Sequence, residues 1–177
     1  MNPAVDRLAT VRERRARRAQ AAALLASVQS SGEPSSPLGW SMLLDVPEWC
    51  HWPSARREHL VLIAGALFAA PAMRLWIETR RIEAARAVIG ADVFERVMAH
   101  ESVPRETTHI PAGEDIRVVF QAAGAAVLLG SLAHECLRDW LAPLLPPSAG
   151  TLSQVIATAL AADAQALMVS LPPEESS

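Results

Sequence analysis

Apolar residues recur along this chain with the spacing of α-helices rather than of strands. From Glu58 to Ala70 the chain is apolar on every helical face beyond Leu60, which is typical of a central, buried helix. We expect Pro71 to end or kink this helix, because proline lacks the amide hydrogen that the helix interior needs. We predict that helical structure then continues from Met73 to Ala87.

Two further segments have helical signals at their ends. Gly90 is expected to stop the preceding helix in a left-handed conformation, and Asp92 is a plausible N-cap for a short helix that reaches Met98. From Glu114 to Leu141 apolar residues alternate at spacings of three and four, which predicts one long helix. The short helix is expected to bury Val93, Phe94 and Val97, and the long one carries the small residues Gly124, Ala125 and Gly130, where another helix could approach closely.

The segment 143–150 breaks the chain before a last helix. Thr151 and Gln154 form the T-x-x-Q pattern of a capping box, which predicts the start of that helix. Its apolar stripe is expected to comprise Leu152, Val155, Ile156, Ala159, Ala166 and Leu167.

Composition supports an all-α fold, because alanine is abundant while β-branched and aromatic residues are few. We predict a single irregular multi-helix domain over residues 38–170, preceded by a basic N-terminal helical arm and linker over residues 1–37 and followed by a disordered tail over 171–177. The boundary at residue 37 follows a stretch of Ser, Gly and Pro without apolar periodicity.

Several classes of enzyme are excluded by composition. All 16 basic residues are arginine, so phosphate loops and Schiff-base chemistry that require a lysine are absent. The glycine-rich and nucleophile-elbow motifs are missing as well, and we predict no enzyme activity, no catalytic residues and no cofactor. Apolar runs are shorter than a bilayer span, and no secretory leader is recognisable, so we expect a cytoplasmic protein.

Cysteine and histidine spacing does not predict a metal site. Cys50 and His51 are adjacent, and His134 and Cys136 are two residues apart, so neither pair has the spacing of structural zinc ligands. We expect two free thiols, with Cys136 on the buried side of its helix. For His134 a hydrogen-bonded position at the edge of the core is the main interpretation, and a phosphoacceptor histidine is the alternative.

Charge and tryptophan placement indicate two candidate partner-binding surfaces. Residues 1–30 carry six arginines against two acids, although the whole chain has a net charge of −3, so nucleic acid is not expected as the main partner. The first candidate comprises five arginines of the arm, Arg12, Arg14, Arg15, Arg17 and Arg18. The alternative interpretation is that they form a solvated face without a partner. The second is the cluster of Trp40, Trp49 and Trp52, for which core packing is the alternative to a partner anchor.

Residues 67–100 resemble the YscK/SctK family of cytosolic sorting-platform subunits in bacterial type III secretion systems. The similarity comprises an apolar helix, a step carrying Arg74, Leu75 and Ile77, an arginine-rich helix, and Ile89–Gly90 before a short helix containing Phe94. A Trp- and Pro-bearing segment upstream is also in keeping with the family.

The resemblance implies a non-enzymatic, helical adaptor in protein transport and virulence. Such an adaptor would bridge the cytosolic domain of an inner-membrane ring protein to the pod protein, and would be peripheral to the inner membrane through these partners. The alternative function is a small helical regulator or chaperone that binds one protein partner.

Overall fold

The fold is all-α throughout the part of the chain that the structure, a computed structural model, describes. That part comprises residues 45–100 and 115–170, together with Ala19, Ala22 and Met42. The α-helices are α1 (Ser54–Met73), α2 (Thr79–Ile89), α3 (Ala91–Ala99), α4 (Ile116–Gly130), α5 (Glu135–Leu141) and α6 (Gln154–Val169), with short 3-10 helices at Glu48–His51 and Ala142–Leu144. Within residues 45–100 and 115–170 no β-strand is present, which confirms the predicted fold class.

The described residues divide into two compact units. The smaller unit contains the first 3-10 helix, α5 and the second 3-10 helix, while the larger unit contains α1 to α4 and α6. The predicted start of the domain at residue 38 lies outside the described residues, and its predicted end at residue 170 borders a segment outside them, so both stay predictions.

Helix α1 is the centre of the larger unit. It contacts α2, α3, α4 and α6, and its residues from Leu60 to Leu67 are all buried. A helix that is apolar on every face requires neighbours on every face, and α1 has them. An end at Pro71 is wrong by a few residues, since α1 continues to Met73 and Arg74 N–H still donates to the Ala70 carbonyl at 3.0 Å, while the alternative, a kink at Pro71, stays a prediction.

Helices α1 and α4 approach each other closely at two glycines. A Cβ atom on Gly124 would overlap the Val61 carbonyl oxygen and lie 2.7 Å from its carbon, and a Cβ on Gly65 would overlap the Phe120 carbonyl. Gly124 was expected to allow a close approach, and this expectation is confirmed. Its counterpart Gly65 did not stand out in the sequence, although both glycines lie within Ala-Gly-Ala triplets.

The helix predicted from Met73 to Ala87 is wrong in its first part. Residues 74–78 leave the helix, and α2 begins only at Thr79. Just after the helix ends, the Arg74 side chain binds the end of α3, an interaction between distant residues that no local pattern reveals.

Gly90 joins α2 to α3 and confirms the predicted helix stop, but its backbone is not in the predicted left-handed helical conformation, because ψ is extended. Its φ of 87° and ψ of 148° are allowed for glycine and strained for other residues, and it is also the N-cap of α3. The predicted N-cap, Asp92, lies instead in the first turn of α3. The predicted buried residues Val93, Phe94 and Val97 are confirmed.

The single helix predicted over Glu114–Leu141 is wrong, because α4 ends at Gly130 and α5 begins at Glu135. The Ser131 hydroxyl donates to the Leu128 carbonyl at 2.7 Å, so a side chain takes the place of the next helical amide. Asp115 caps the start of α4 by accepting from Arg117 N–H at 2.9 Å.

Helix α6 buries a different face from the predicted one. Its N-cap is Ser153 rather than Thr151, and the buried residues are Ala157, Leu160, Ala161 and Ala164. Val155, expected in the buried stripe, is 80 % exposed. Because nearly every residue of α6 is small or apolar, periodicity could not predict which face is buried. The contact of the short Ala157 side chain with Gly130 of α4 determines the buried face.

We predict that Gly124→Ala destabilises the larger unit by about 3 kcal/mol, because its Cβ meets backbone atoms that cannot rotate away. Gly130→Ala is the comparison, since its Cβ would meet mainly the Ala157 methyl at 2.9 Å, and we expect a clearly smaller loss. Urea denaturation measures the free energy of unfolding of both variants. Equal stability of Gly124→Ala and the unchanged protein would contradict the close helix approach.

Candidate functional site

The predicted partner-binding residues fall largely outside the described part of the chain. Arg12, Arg14, Arg15, Arg17, Arg18 and Trp40 lie among the residues that the structure does not describe. The other two tryptophans belong to the smaller unit: Trp49 lies on the 3-10 helix and is 1 % exposed, and Trp52 follows that helix and is half-buried. The burial of Trp49 favours the packing role over an accessible anchor.

His134 and Cys136 also lie in the smaller unit. His134 is the N-cap of α5, and its Nε2 lies 3.2 Å from the Asp45 carboxylate, which confirms a hydrogen-bonded position at the edge of the fold. Cys50 is buried, Cys136 is only half-buried, and neither forms a disulfide. Among the described residues no group of three or more His, Cys, Asp or Glu side chains is arranged to hold a metal ion.

A short exposed segment between α1 and α2, residues 74–78, is the most unusual surface of the larger unit. We call it the apolar turn. Ile77 is 95 % exposed and Leu75 is 71 % exposed, whereas Trp76 between them is half-buried. Two large aliphatic side chains, on either side of Trp76 in the chain, are therefore exposed to solvent.

The apolar turn is held by two contacts, one at its first residue and one at its middle residue. Arg74 donates from Nε and Nη2 to the Met98 carbonyl, at 3.3 and 3.2 Å, and from Nη2 to the His100 carbonyl. These carbonyls at the end of α3 have no amide partner within the helix and carry the negative end of its dipole, so a guanidinium group suits them. On the other side the Arg81 guanidinium stacks on Trp76, 4.3 Å from the ring centroid.

Further polar contacts join α3 to its neighbours. His100 Nε2 lies 3.0 Å from the Asp163 carboxylate of α6, and Arg96 donates to the Ser170 hydroxyl at 2.6 Å. Arg86 of α2 pairs with Glu95 of α3 and lies over the Phe94 ring, 5.1 Å from its centroid. The position of the apolar turn is thus tied through α3 to the rest of the larger unit.

The outward face of α6 is the second unusual surface. We call it the uncharged face. It is formed by Val155, Thr158, Ala162, Ala166 and Val169, which are all exposed. The spacing of three and four residues places them in one row along about 21 Å of helix. The helix has a single charged residue, Asp163, which is paired with His100 and does not belong to this face.

Sequence patterns did not reveal either surface as exposed. The apolar turn was assigned to a helix, and Val155 to a buried stripe. A local signal exists for the turn, because Leu75, Trp76 and Ile77 are three consecutive large apolar residues just after Pro71, a run that fits no single helix face. No comparable signal distinguishes the buried from the exposed face of α6.

We predict that Trp49→Ala lowers the free energy of unfolding by about 3–5 kcal/mol, because a large buried side chain is removed. Trp52→Ala is the control and should cost less, since Trp52 is already partly solvated. Chemical denaturation measures the free energy of unfolding of both variants. A Trp49→Ala variant of unchanged stability that loses a protein partner would show that Trp49 is an anchor.

We predict that Arg74→Ala lowers the free energy of unfolding by about 1 kcal/mol, because the exposed carbonyls of Met98 and His100 regain only water as partners. Arg74→Lys should restore part of this loss, since one ammonium group cannot reproduce the forked contact. Arg80→Ala, on the exposed side of α2, should change little. Equal effects of the Arg74 and Arg80 substitutions would refute the anchoring role.

Comparisons with known proteins add no assignment to these surfaces: no family model matches the sequence, and no curated protein or solved structure matches it. No helix in residues 45–100 and 115–170 has both the length and the hydropathy needed to cross a membrane.

Proposed function

We propose that the protein is a non-enzymatic adaptor of a bacterial type III secretion apparatus, which bridges an inner-membrane ring protein and the pod protein of the sorting platform. The secretion assignment rests on the resemblance of residues 67–100 to YscK/SctK subunits. In the structure these residues form the end of α1, the apolar turn, α2 and α3, joined by the contacts of Arg74 and Arg86. The resembling segment is therefore one connected part of the fold.

The observation that carries the adaptor role is the uncharged face of α6. A helix at the surface of a protein in water normally places charged and polar residues outward, and a helix that is apolar all round is normally buried. The outward row of α6 has Thr158 as its only polar residue, while Val155 is 80 % and Val169 is 73 % exposed. A face of this composition is suited to an apolar helix or groove of a protein partner.

The geometry of this face also suits binding rather than catalysis. The alanines at positions 162 and 166 leave the middle of the row flat, so a partner helix can approach closely between the two valines. The valines then supply most of the apolar area. Because no charge of α6 lies in the row, the contact removes no ion of α6 from water and avoids that desolvation cost.

We predict that Ala162→Glu abolishes capture of the partner that occupies the uncharged face, because it places a carboxylate at the centre of an apolar contact. The control is Ala87→Glu, which makes the same change on an exposed position of α2 and should retain binding. Both substitutions insert a good helix former, so thermal stability should stay unchanged. Pull-downs with the cytosolic domain of the ring protein and with the pod protein provide the readout.

The alternative of a regulator or chaperone with one partner makes a different prediction for the same mixture. An adaptor forms a ternary complex with both apparatus proteins. A regulator or chaperone with a single partner binds only one of them, and the other apparatus protein is absent from the complex. Co-purification of all three supports the adaptor. Capture of neither apparatus protein, or a gene neighbourhood without secretion genes, would reject the secretion assignment.

A further inference from the structure

We propose that the apolar turn is a membrane-contacting element that inserts Leu75 and Ile77 into the surface of an anionic lipid bilayer. This contact goes beyond the adaptor function and does not rest on it, since the apolar turn and the uncharged face of α6 are formed by different residues. The observation behind it is the exposure of two large aliphatic side chains, 71 % for Leu75 and 95 % for Ile77. Exposure of such side chains to water is unfavourable, so their burial in a lipid interface lowers the free energy.

The backbone of the turn presents these two side chains in a fixed arrangement. Arg74 fastens one end to the Met98 and His100 carbonyls, and Trp76 lies against the Arg81 guanidinium rather than between the two exposed residues. Glu78 then has extended backbone angles, φ −79° and ψ 109°, before α2 begins. A turn that is already ordered loses little conformational freedom when it binds, which favours contact with a surface.

Charge around the turn favours an anionic surface. Residues 74–81 contain three arginines, Arg74, Arg80 and Arg81, against one acid, Glu78, although the whole chain has a net charge of −3. Arg74 is bonded to the α3 carbonyls and Arg81 lies over Trp76, so both leave a positive charge beside the tip, while the exposed Arg80 is the side chain that can reach lipid phosphates at the depth of the headgroups. The next acid along α2, Glu83, lies more than a turn of helix beyond Glu78.

The small size of the apolar tip favours lipid over a protein partner. A stable protein interface buries about 800 Å² on each side around a continuous apolar centre. Here the residues that flank Leu75 and Ile77 along the chain, namely Arg74, Glu78, Thr79 and Arg80, are polar and exposed, so the run of exposed apolar side chains is limited to two. A fluid bilayer needs no matching surface and accepts a small apolar tip with a basic surround.

Vesicle sedimentation with the full chain tests the proposal. We expect the protein to sediment with vesicles of phosphatidylcholine and phosphatidylglycerol, and to remain in solution with phosphatidylcholine alone. Binding should weaken as salt rises from about 0.05 M to about 0.5 M, because the headgroup contacts are screened. Ile77→Ser should reduce the partition coefficient roughly tenfold or more, through the loss of one inserted aliphatic side chain. Its fold should be unaffected, as a thermal melt verifies, since Ile77 is 95 % exposed.

Two controls separate the apolar turn from other contacts. Val118→Ser removes another exposed aliphatic side chain, 57 % exposed on α4, and should bind vesicles like the unchanged protein. A variant with Arg12, Arg14, Arg15, Arg17 and Arg18 changed to Gln removes the basic arm, and its remaining binding should still depend on Ile77.

Three outcomes would overturn the proposal. In the first, the unchanged protein fails to sediment with anionic vesicles. In the second, Ile77→Ser binds them as well as the unchanged protein does, which would assign lipid contact to another segment. In the third outcome vesicle binding is absent while Ile77→Ser loses capture of an apparatus protein, which would make the apolar turn a protein contact.

Discussion

The larger unit depends on one backbone contact, the close approach of α1 and α4 at Gly65 and Gly124. Each glycine faces a carbonyl group of the opposite helix, Phe120 for Gly65 and Val61 for Gly124, so neither position has room for a side chain. Helices that approach this closely gain dispersion contacts along their whole length, because interiors are packed at the density of organic crystals. The alanines on either side of each glycine extend the region of close contact and are fully or nearly fully buried.

The rest of the larger unit is arranged around this pair. Helix α6 packs on both α1 and α4, and its Ala157 meets Gly130, so a second small-residue contact fixes which face of α6 turns inward. Helices α2 and α3 cover another side of α1 and are joined to each other, to the end of α1 and to α6 by arginine and histidine contacts at the surface. These exposed contacts add little stability, since water competes for the same groups. Their effect is to fix the positions of α2 and α3 on α1, and with them the position of the apolar turn.

Prediction from the sequence succeeded where burial alone determines the structure. The apolar run from Leu60 predicts the central helix, Gly90 predicts a helix stop, and Val93, Phe94 and Val97 predict the buried side of α3. It failed in two different ways. The chain leaves the helix after Met73, where the Arg74 side chain reaches the distant end of α3, whereas α4 ends at Gly130 beside a local contact from the Ser131 hydroxyl to the Leu128 carbonyl. Both surfaces proposed for function depend on contacts between distant residues, of Arg74 with the end of α3 and of Ala157 with Gly130, and the sequence located neither.

Native-state hydrogen exchange tests the central role of the α1–α4 contact most directly. If the two helices form the core on which the others depend, amides of α1 and α4 around Gly65 and Gly124 should exchange only on global unfolding, with the free energy measured by urea denaturation. Amides of α2, which has only Ala85 and Ile89 buried, should exchange at a lower free energy through partial opening. Exchange of the amides around Gly65 and Gly124 at a free energy equal to or below that of α2 would contradict this account.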